Sequence, residues 1–233
     1  MKLLNIPNGI TCLNLICGCL AIYLGLKVSI DWACICIILG ALFDFFDGMT
    51  ARALKISSPI GKELDSLADV VTFGVAPSIL CFNLMEQSGF SGVEIPHLSL
   101  IAFVMAAFSA LRLAKFNCDD RQTTSFIGLP TPANALFWIG MTYMTNIEFM
   151  NWILNGWILC GIMLGCSYIL ISEIPMFSLK IKMDKLSFKY NALPYSFVLA
   201  CIPILLVFKL SGMAVCILLY ILLSIISNIR SKQ

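Results

Sequence analysis

The sequence predicts an all-α, polytopic transmembrane bundle of about eight helices with both termini on the cytoplasmic side. Two observations carry that prediction. The chain is 60% hydrophobic and 12% charged over 233 residues, with a mean hydropathy of +0.94. A soluble domain carries roughly 25% charged residues, so this chain lacks the charge to cover a globular surface in water. The second observation is that basic residues alternate from one inter-helix segment to the next, as described below.

A spanning helix needs about 17–25 mostly apolar residues. Eight runs qualify, near 8–26, 32–52, 63–84, 98–117, 131–148, 153–172, 191–208 and 211–229, with Pro96, Pro130, Pro175 and Gly212 among the turn-formers that punctuate them. The first run stays in place as a helix. Asn5, Pro7, Asn8, Thr11 and Asn14 interrupt it, and no small-residue cleavage pattern follows. With the N-terminus inside, all but Lys27 and Lys209 of the 15 basic residues fall on cytoplasmic segments. That is the positive-inside pattern. The segment 178–189 alternates basic and apolar residues, and is either an interfacial strip drawn to anionic lipid heads or a basic loop that fixes orientation. No repeat, low-complexity tract or soluble module interrupts a single membrane-embedded domain over 1–233.

The 11 cysteines lie mostly inside apolar runs, as Cys12, Cys17, Cys34, Cys36, Cys160 and Cys216 do. There cysteine behaves as a small buried hydrophobe. The Cys17/Cys19 and Cys34/Cys36 pairs lack the spacing of a zinc site, and His97 is the lone histidine.

The chemistry lies in four aspartates. The second helix ends Asp44-Phe45-Phe46-Asp47-Gly48-Met49-Thr50-Ala51-Arg52, and the third opens Gly61-Lys62-Glu63-Leu64-Asp65-Ser66-Leu67-Ala68-Asp69. A charge within a span costs roughly 2.5–3.5 kcal/mol on insertion scales. Asp44 and Asp47 share one helix face by their spacing, and Asp65 and Asp69 share another. A short linker around 53–60 makes the two helices antiparallel neighbours, so the pairs meet at similar depth near the cytoplasmic surface. Four converging carboxylates do not all stay ionised without a counter-charge. An all-oxygen set favours Mg²⁺ or Mn²⁺ over zinc, and four carboxylates suit two ions. Gly48 and Ala51 would let a flat base or a phosphate approach the backbone, and Arg52 offers a positive fork at the rim.

The pattern D-x2-D-G-x2-A-R-x8-G-x3-D-x3-D, unbroken from Asp44 to Asp69, resembles the signature of the CDP-alcohol phosphotransferases. The resemblance implies a membrane-embedded helical homodimer that displaces CMP with two divalent metals. It implies Asp44, Asp47 and Asp65 as metal ligands, and Asp69 as a further ligand and the general base. Gly48, Ala51, Arg52 and Gly61 would line the nucleotide site. Further stretches resemble the subgroup that makes phosphatidylserine: Ile6-Pro7-Asn8-Gly9-Ile10-Thr11, Leu64 to Pro77, Arg112-Leu113-Ala114-Lys115-Phe116-Asn117, and Phe126-Ile127-Gly128-Leu129-Pro130-Thr131-Pro132. Together they place a catalytic core at 5–135 around the metal motif 44–69.

What the resemblance implies is transfer of a phosphatidyl group from CDP-diacylglycerol to L-serine by direct attack, with release of CMP and no nucleic-acid partner. Arg112 is the first candidate for the serine carboxylate, since a planar fork matches it. Lys115, which keeps the charge but loses the fork, and Arg121 follow. Asn8 and Thr11, one turn apart, either hold the nucleotide or cap the first helix. Two other readings remain: an enzyme of the same family with glycerol 3-phosphate or inositol phosphate as acceptor, and a cation-coupled transporter. A transporter usually holds its carboxylates near the midplane of paired repeats.

Overall fold

The computed structural model describes residues 5–56, 58–92, 95–119, 126–145, 155–177 and 188–231. The first helix, α1 (Ile6–Lys27), starts at Asn5, whose side chain accepts the Asn8 N–H at 2.8 Å, with Pro7 in its first turn. The next, α2 (Ile30–Leu54), stops at Lys55 in the left-handed region. Ser58 caps α3 (Pro59–Asp69) by accepting the Gly61 N–H at 3.0 Å. From there the helix passes through a π-helical turn, Val70–Val75, into α4 (Ala76–Ser88), making one rod from Pro59 to Ser88.

A 3₁₀ segment at Leu98–Phe103 leads into α5 (Val104–Cys118). Then come β1 (Phe126–Ile127), α6 (Thr131–Met144), α7 (Gly156–Ile171), β2 (Pro175–Met176), α8 (Phe188–Phe208) and α9 (Gly212–Ser231). Each of the eight expected runs contains helix, with Thr145, Asn155 and Ser172 falling just outside α6 and α7.

Among the described residues, five segments are long and apolar enough to cross a membrane: Ile6–Lys27, Ile30–Leu54, Pro59–Ser88, Leu98–Cys118 and Leu193–Ile229. This is a polytopic helical membrane protein. The last segment contains both α8 and α9. A 3₁₀ turn at Lys209–Ser211 with Lys209 left-handed reverses the chain between them, and the Phe197 and Tyr220 rings meet 5.8 Å apart. At 14 and 16 residues, α6 and α7 are shorter than a full span, and the expected extensions into 146–154 lie outside the described residues. So does most of the basic strip 178–189. One departure from an all-α fold is a two-residue antiparallel pairing, Phe126 with Met176 and Ile127 with Pro175. It staples the approach to α6 onto the exit from α7, and two residues of extended chain leave no periodicity to read in the sequence.

Lipid tails are as apolar as leucine, so packing and small residues hold membrane helices together rather than burial from water. That is how the site is positioned. A Cβ on Gly18 would lie 2.4 Å from Thr72 Oγ1, and one on Gly40 would lie 2.5 Å from Thr72 Cγ2. Glycine at these two places lets α1 and α2 close on the π-turn. There the Thr72 hydroxyl donates to the Asn14 carbonyl at 3.0 Å. A π-turn within an α-helix is frequent at functional sites, and this one directly follows Asp69.

Three apolar clusters lock the remaining rods. Met105, Trp138 and Met163 join α5, α6 and α7. Ile37, Phe73 and Ile139 join α2, the π-turn and α6. Leu129, Leu170, Phe197 and Tyr220 close the end where α6 begins.

Candidate active site

The start of α1, the end of α2 and the start of α3 meet at one end of the bundle, and they bring the acidic residues together. One carboxylate oxygen from each of Asp44, Asp47 and Asp65 lies within 4.8 Å of the others. Asp47 is buried, while Asp44 and Asp65 are half-buried. The Thr11 hydroxyl donates to Asp47 Oδ2 at 2.6 Å, across 36 residues of chain. Asp65 Oδ1 is buried with no protein partner. Three oxygen ligands with one left orphaned fit a hard divalent cation, whose charge offsets theirs.

Asp69 stands apart from that trio. It is buried, and its Oδ1 accepts from Asn14 Nδ2 at 3.1 Å. It lies within electrostatic range of Asp44, Asp65 and Arg112. The acidic set is therefore three carboxylates converging on one point and a fourth held in place by α1.

Beside the acids is a cleft of about 200 Å³, lined in part by Asn8, Thr11, Gly48, Ala51, Gly61 and Lys62. A Cβ on Gly61 would crowd Asn8 Oδ1 at 3.2 Å and Ser58 Oγ at 3.1 Å, and one on Gly48 would meet only Arg52 at 3.5 Å. Backbone is thus open to a ligand along α2, with the exposed Arg52 above it. The capping expectation for Asn8 and Thr11 is corrected: Asn5 is the cap, and Thr11 is spent on Asp47. Asn8 is buried at the cleft wall.

Arg112 lies in the second half of α5 and is buried. It is 6% exposed, with its guanidinium 5.2 Å from the Phe116 ring and Nε without a protein partner. Lys115 is engaged elsewhere, in an ion pair with Glu173 and a 3.2 Å hydrogen bond to the Ile171 carbonyl. That contact ties α5 to the end of α7. Arg121 lies outside the described residues.

Sequence reasoning missed Asn14 as the partner of Asp69, and Asn117, whose side chain donates to Ser66 at 2.8 Å and whose carbonyl accepts from Lys62 at 2.9 Å. A usable signal existed for α1. Asn8, Thr11 and Asn14 recur at three-residue intervals, a polar stripe on one face of an apolar helix.

The family model described as CDP-alcohol phosphatidyltransferase matches residues 4–168. A protein of Bacillus subtilis (strain 168) described as CDP-diacylglycerol–serine O-phosphatidyltransferase is 40% identical over 170 residues, covering 72% of this chain and 88% of its own length. One of the same description from Methanocaldococcus jannaschii is 39% identical over 164 residues, 70% of this chain and 72% of that protein. Another, from Mycobacterium leprae, is 33% identical over 178 residues, 73% of this chain and 57% of that protein.

Proposed function

This chain belongs to the CDP-alcohol phosphatidyltransferase family, and on that premise we propose that it transfers the phosphatidyl group of CDP-diacylglycerol to the hydroxyl of L-serine, giving phosphatidylserine and CMP. The observation that carries the reading is the convergence of Asp44, Asp47 and Asp65 beside a cleft where Gly48 and Ala51 leave the backbone of α2 open. The description shared by the matched relatives supplies the acceptor.

The cleft at Gly48, Ala51 and Gly61 takes the nucleotide, with Asn8 at its wall and Arg52 and Lys62 at its edge for phosphate oxygens. Asp44, Asp47 and Asp65 hold Mg²⁺ or Mn²⁺, two ions when Asp69 completes the set. Such ions, when bound, neutralise the charge that develops on the departing CMP. Asp69 takes the proton of the acceptor hydroxyl, and Asn14 keeps its carboxylate oriented. The freed oxygen attacks the phosphorus bonded to the diacylglycerol oxygen, the pyrophosphate P–O bond breaks, and CMP leaves with the electron pair. Arg112, buried beside Asp69, receives the acceptor carboxylate.

Residues 5–135 form the catalytic core of this reading. In this reading the chain crosses the cell membrane eight times with the site facing the cytoplasm, the side to which the positive-inside rule assigns the basic residues, and the enzyme works as a homodimer.

The test is CMP release from protein purified in detergent with CDP-diacylglycerol and Mg²⁺ or Mn²⁺, with serine, glycerol 3-phosphate or inositol phosphate in separate reactions. Release with serine and metal alone is expected. Release with a different acceptor would keep the acidic site and overturn the serine assignment.

A further inference from the structure

Seven buried side-chain atoms among the described residues have no protein partner. Asn14 Oδ1 and Asp65 Oδ1 belong to the acidic site. The other five are Arg112 Nε, Thr131 Oγ1, both amide atoms of Asn134, and Trp138 Nε1. All five sit on α5 and α6.

Two shared apolar clusters tie these helices into one end of the bundle. Met105 of α5 and Trp138 of α6 share one apolar cluster. From that level α5 climbs through Ser109 to Arg112, while α6, read backwards, climbs through Asn134 to Thr131. Phe108 of α5 and Ala133 of α6 pack against the same cluster of Leu129 and Tyr220, so both helices border it. Arg112 is in turn within electrostatic range of Asp69 and Tyr220. Thr131 and Asn134 are 0% exposed, and Pro130 supplies no side-chain cap to α6.

Nearby hydroxyls are paired. Ser109 donates to the Met105 carbonyl at 2.9 Å and Thr142 to the Trp138 carbonyl at 2.9 Å. Thr131 opens α6 and has no preceding helical carbonyl to bond, and neither its hydroxyl nor the Asn134 amide has a protein partner.

We propose that Thr131 and Asn134 recognise the α-ammonium group of an amino-acid acceptor, and so set the specificity of the reaction. The proposal rests on the function proposed above and deepens it. A zwitterionic headgroup needs donors for its carboxylate and acceptors for its ammonium. Arg112 has donors only. Asn134 Oδ1 and Thr131 Oγ1 are buried acceptors on the facing helix, and the positive end of the α6 dipole lies at the same place, suited to the carboxylate. Serine held this way turns its hydroxyl toward Asp69. An acceptor without an amino group leaves Asn134 and Thr131 unpaired, and a site built to bond a polar group rejects the analogue that lacks it.

The experiment measures KM for serine and for CDP-diacylglycerol in the wild type, N134A, N134D and T131V, with thermal melting in detergent to identify folded variants. N134A and T131V are expected to raise the serine KM on the order of 10- to 100-fold and leave the CDP-diacylglycerol KM unchanged. N134D, which keeps an acceptor, is expected to restore serine binding. Where N134A fails to fold, T131V decides. An unchanged serine KM in the folded variants would overturn the proposal and assign these atoms to buried water. A wild type that releases no CMP with serine would instead sink the function itself, so the two failures are distinct.

Discussion

The α1–α2–α3 corner and the α6–α8–α9 corner of the bundle draw on the same apolar alphabet and use it in opposite ways. At the first corner, glycines let helices close on one another around buried polar groups, leaving a cleft of about 200 Å³ floored by carboxylates. At the second, Phe197, Cys201, Leu205, Met213 and Ile217 border an apolar groove of about 440 Å³. Buried charge is tolerated only where a partner or ligand offsets it, so close packing and chemistry coincide at the first corner. The second carries no carboxylate at its groove, which apolar side chains line, although a Cβ on Gly140 would lie 2.2 Å from Ala214 N, so α6 and α9 also close through glycine.

Breaking the first corner at its charges has the largest effect. Asp44→Asn, Asp47→Asn and Asp65→Asn each remove a ligand charge while keeping the shape. Each is expected to lower CMP release on the order of 10³-fold or more, equivalent to about 4 kcal/mol of barrier. Isothermal titration with Mn²⁺ should show weakened binding in the same variants. A variant that keeps a tenth of wild-type turnover would remove that aspartate from the metal set.

Much of this contrast was legible in the sequence, and the unread part has a common cause. Hydropathy located the rods because lipid demands a continuous apolar run, and aspartate spacing fixed which carboxylates share a face. The approach of Asp65 to Asp44 and Asp47 followed from a short linker. The tie from Thr11 to Asp47 spans 36 residues and that from Asn14 to Asp69 spans 55. No local period encodes such pairings. The burial of Arg112 was not legible, because the positive-inside rule assigns a basic residue to a side, not to a depth. The π-turn after Asp69 depends on how Gly18 and Gly40 seat Thr72, a tertiary fit that no single-helix pattern announces.

Two smaller changes sharpen the comparison inside the first corner. Arg112→Lys keeps the charge and loses the planar fork, so the serine KM is expected to rise at least tenfold while the CDP-diacylglycerol KM holds. A rise in both constants would assign Arg112 to the nucleotide instead. Thr11→Val removes the hydroxyl that orients Asp47. Partners of metal ligands are worth 10- to 100-fold in affinity or activity, so Mn²⁺ binding should weaken by about tenfold with little change in melting temperature. Unchanged metal affinity would make Thr11 a packing residue.

Packing alone distinguishes the two corners in the last and smallest effect. A Cβ at Gly40 meets Thr72 at 2.5 Å and Asn14 Oδ1 at 3.0 Å, so Gly40→Val overfills a closed seam, at a cost of about 1–3 kcal/mol. Its melting temperature in detergent should fall by several degrees, and turnover should fall with it because Asn14 holds Asp69. Leu205→Ala deletes a side chain that is 40% exposed at the edge of the apolar groove. Little is packed around it to lose, so its stability should change by no more than roughly 0.5 kcal/mol, as at other exposed positions, with turnover intact. Equal losses from the two substitutions would mean that the groove is as tightly coupled to the site as the glycine seam is. The division of labour between the corners would then be wrong.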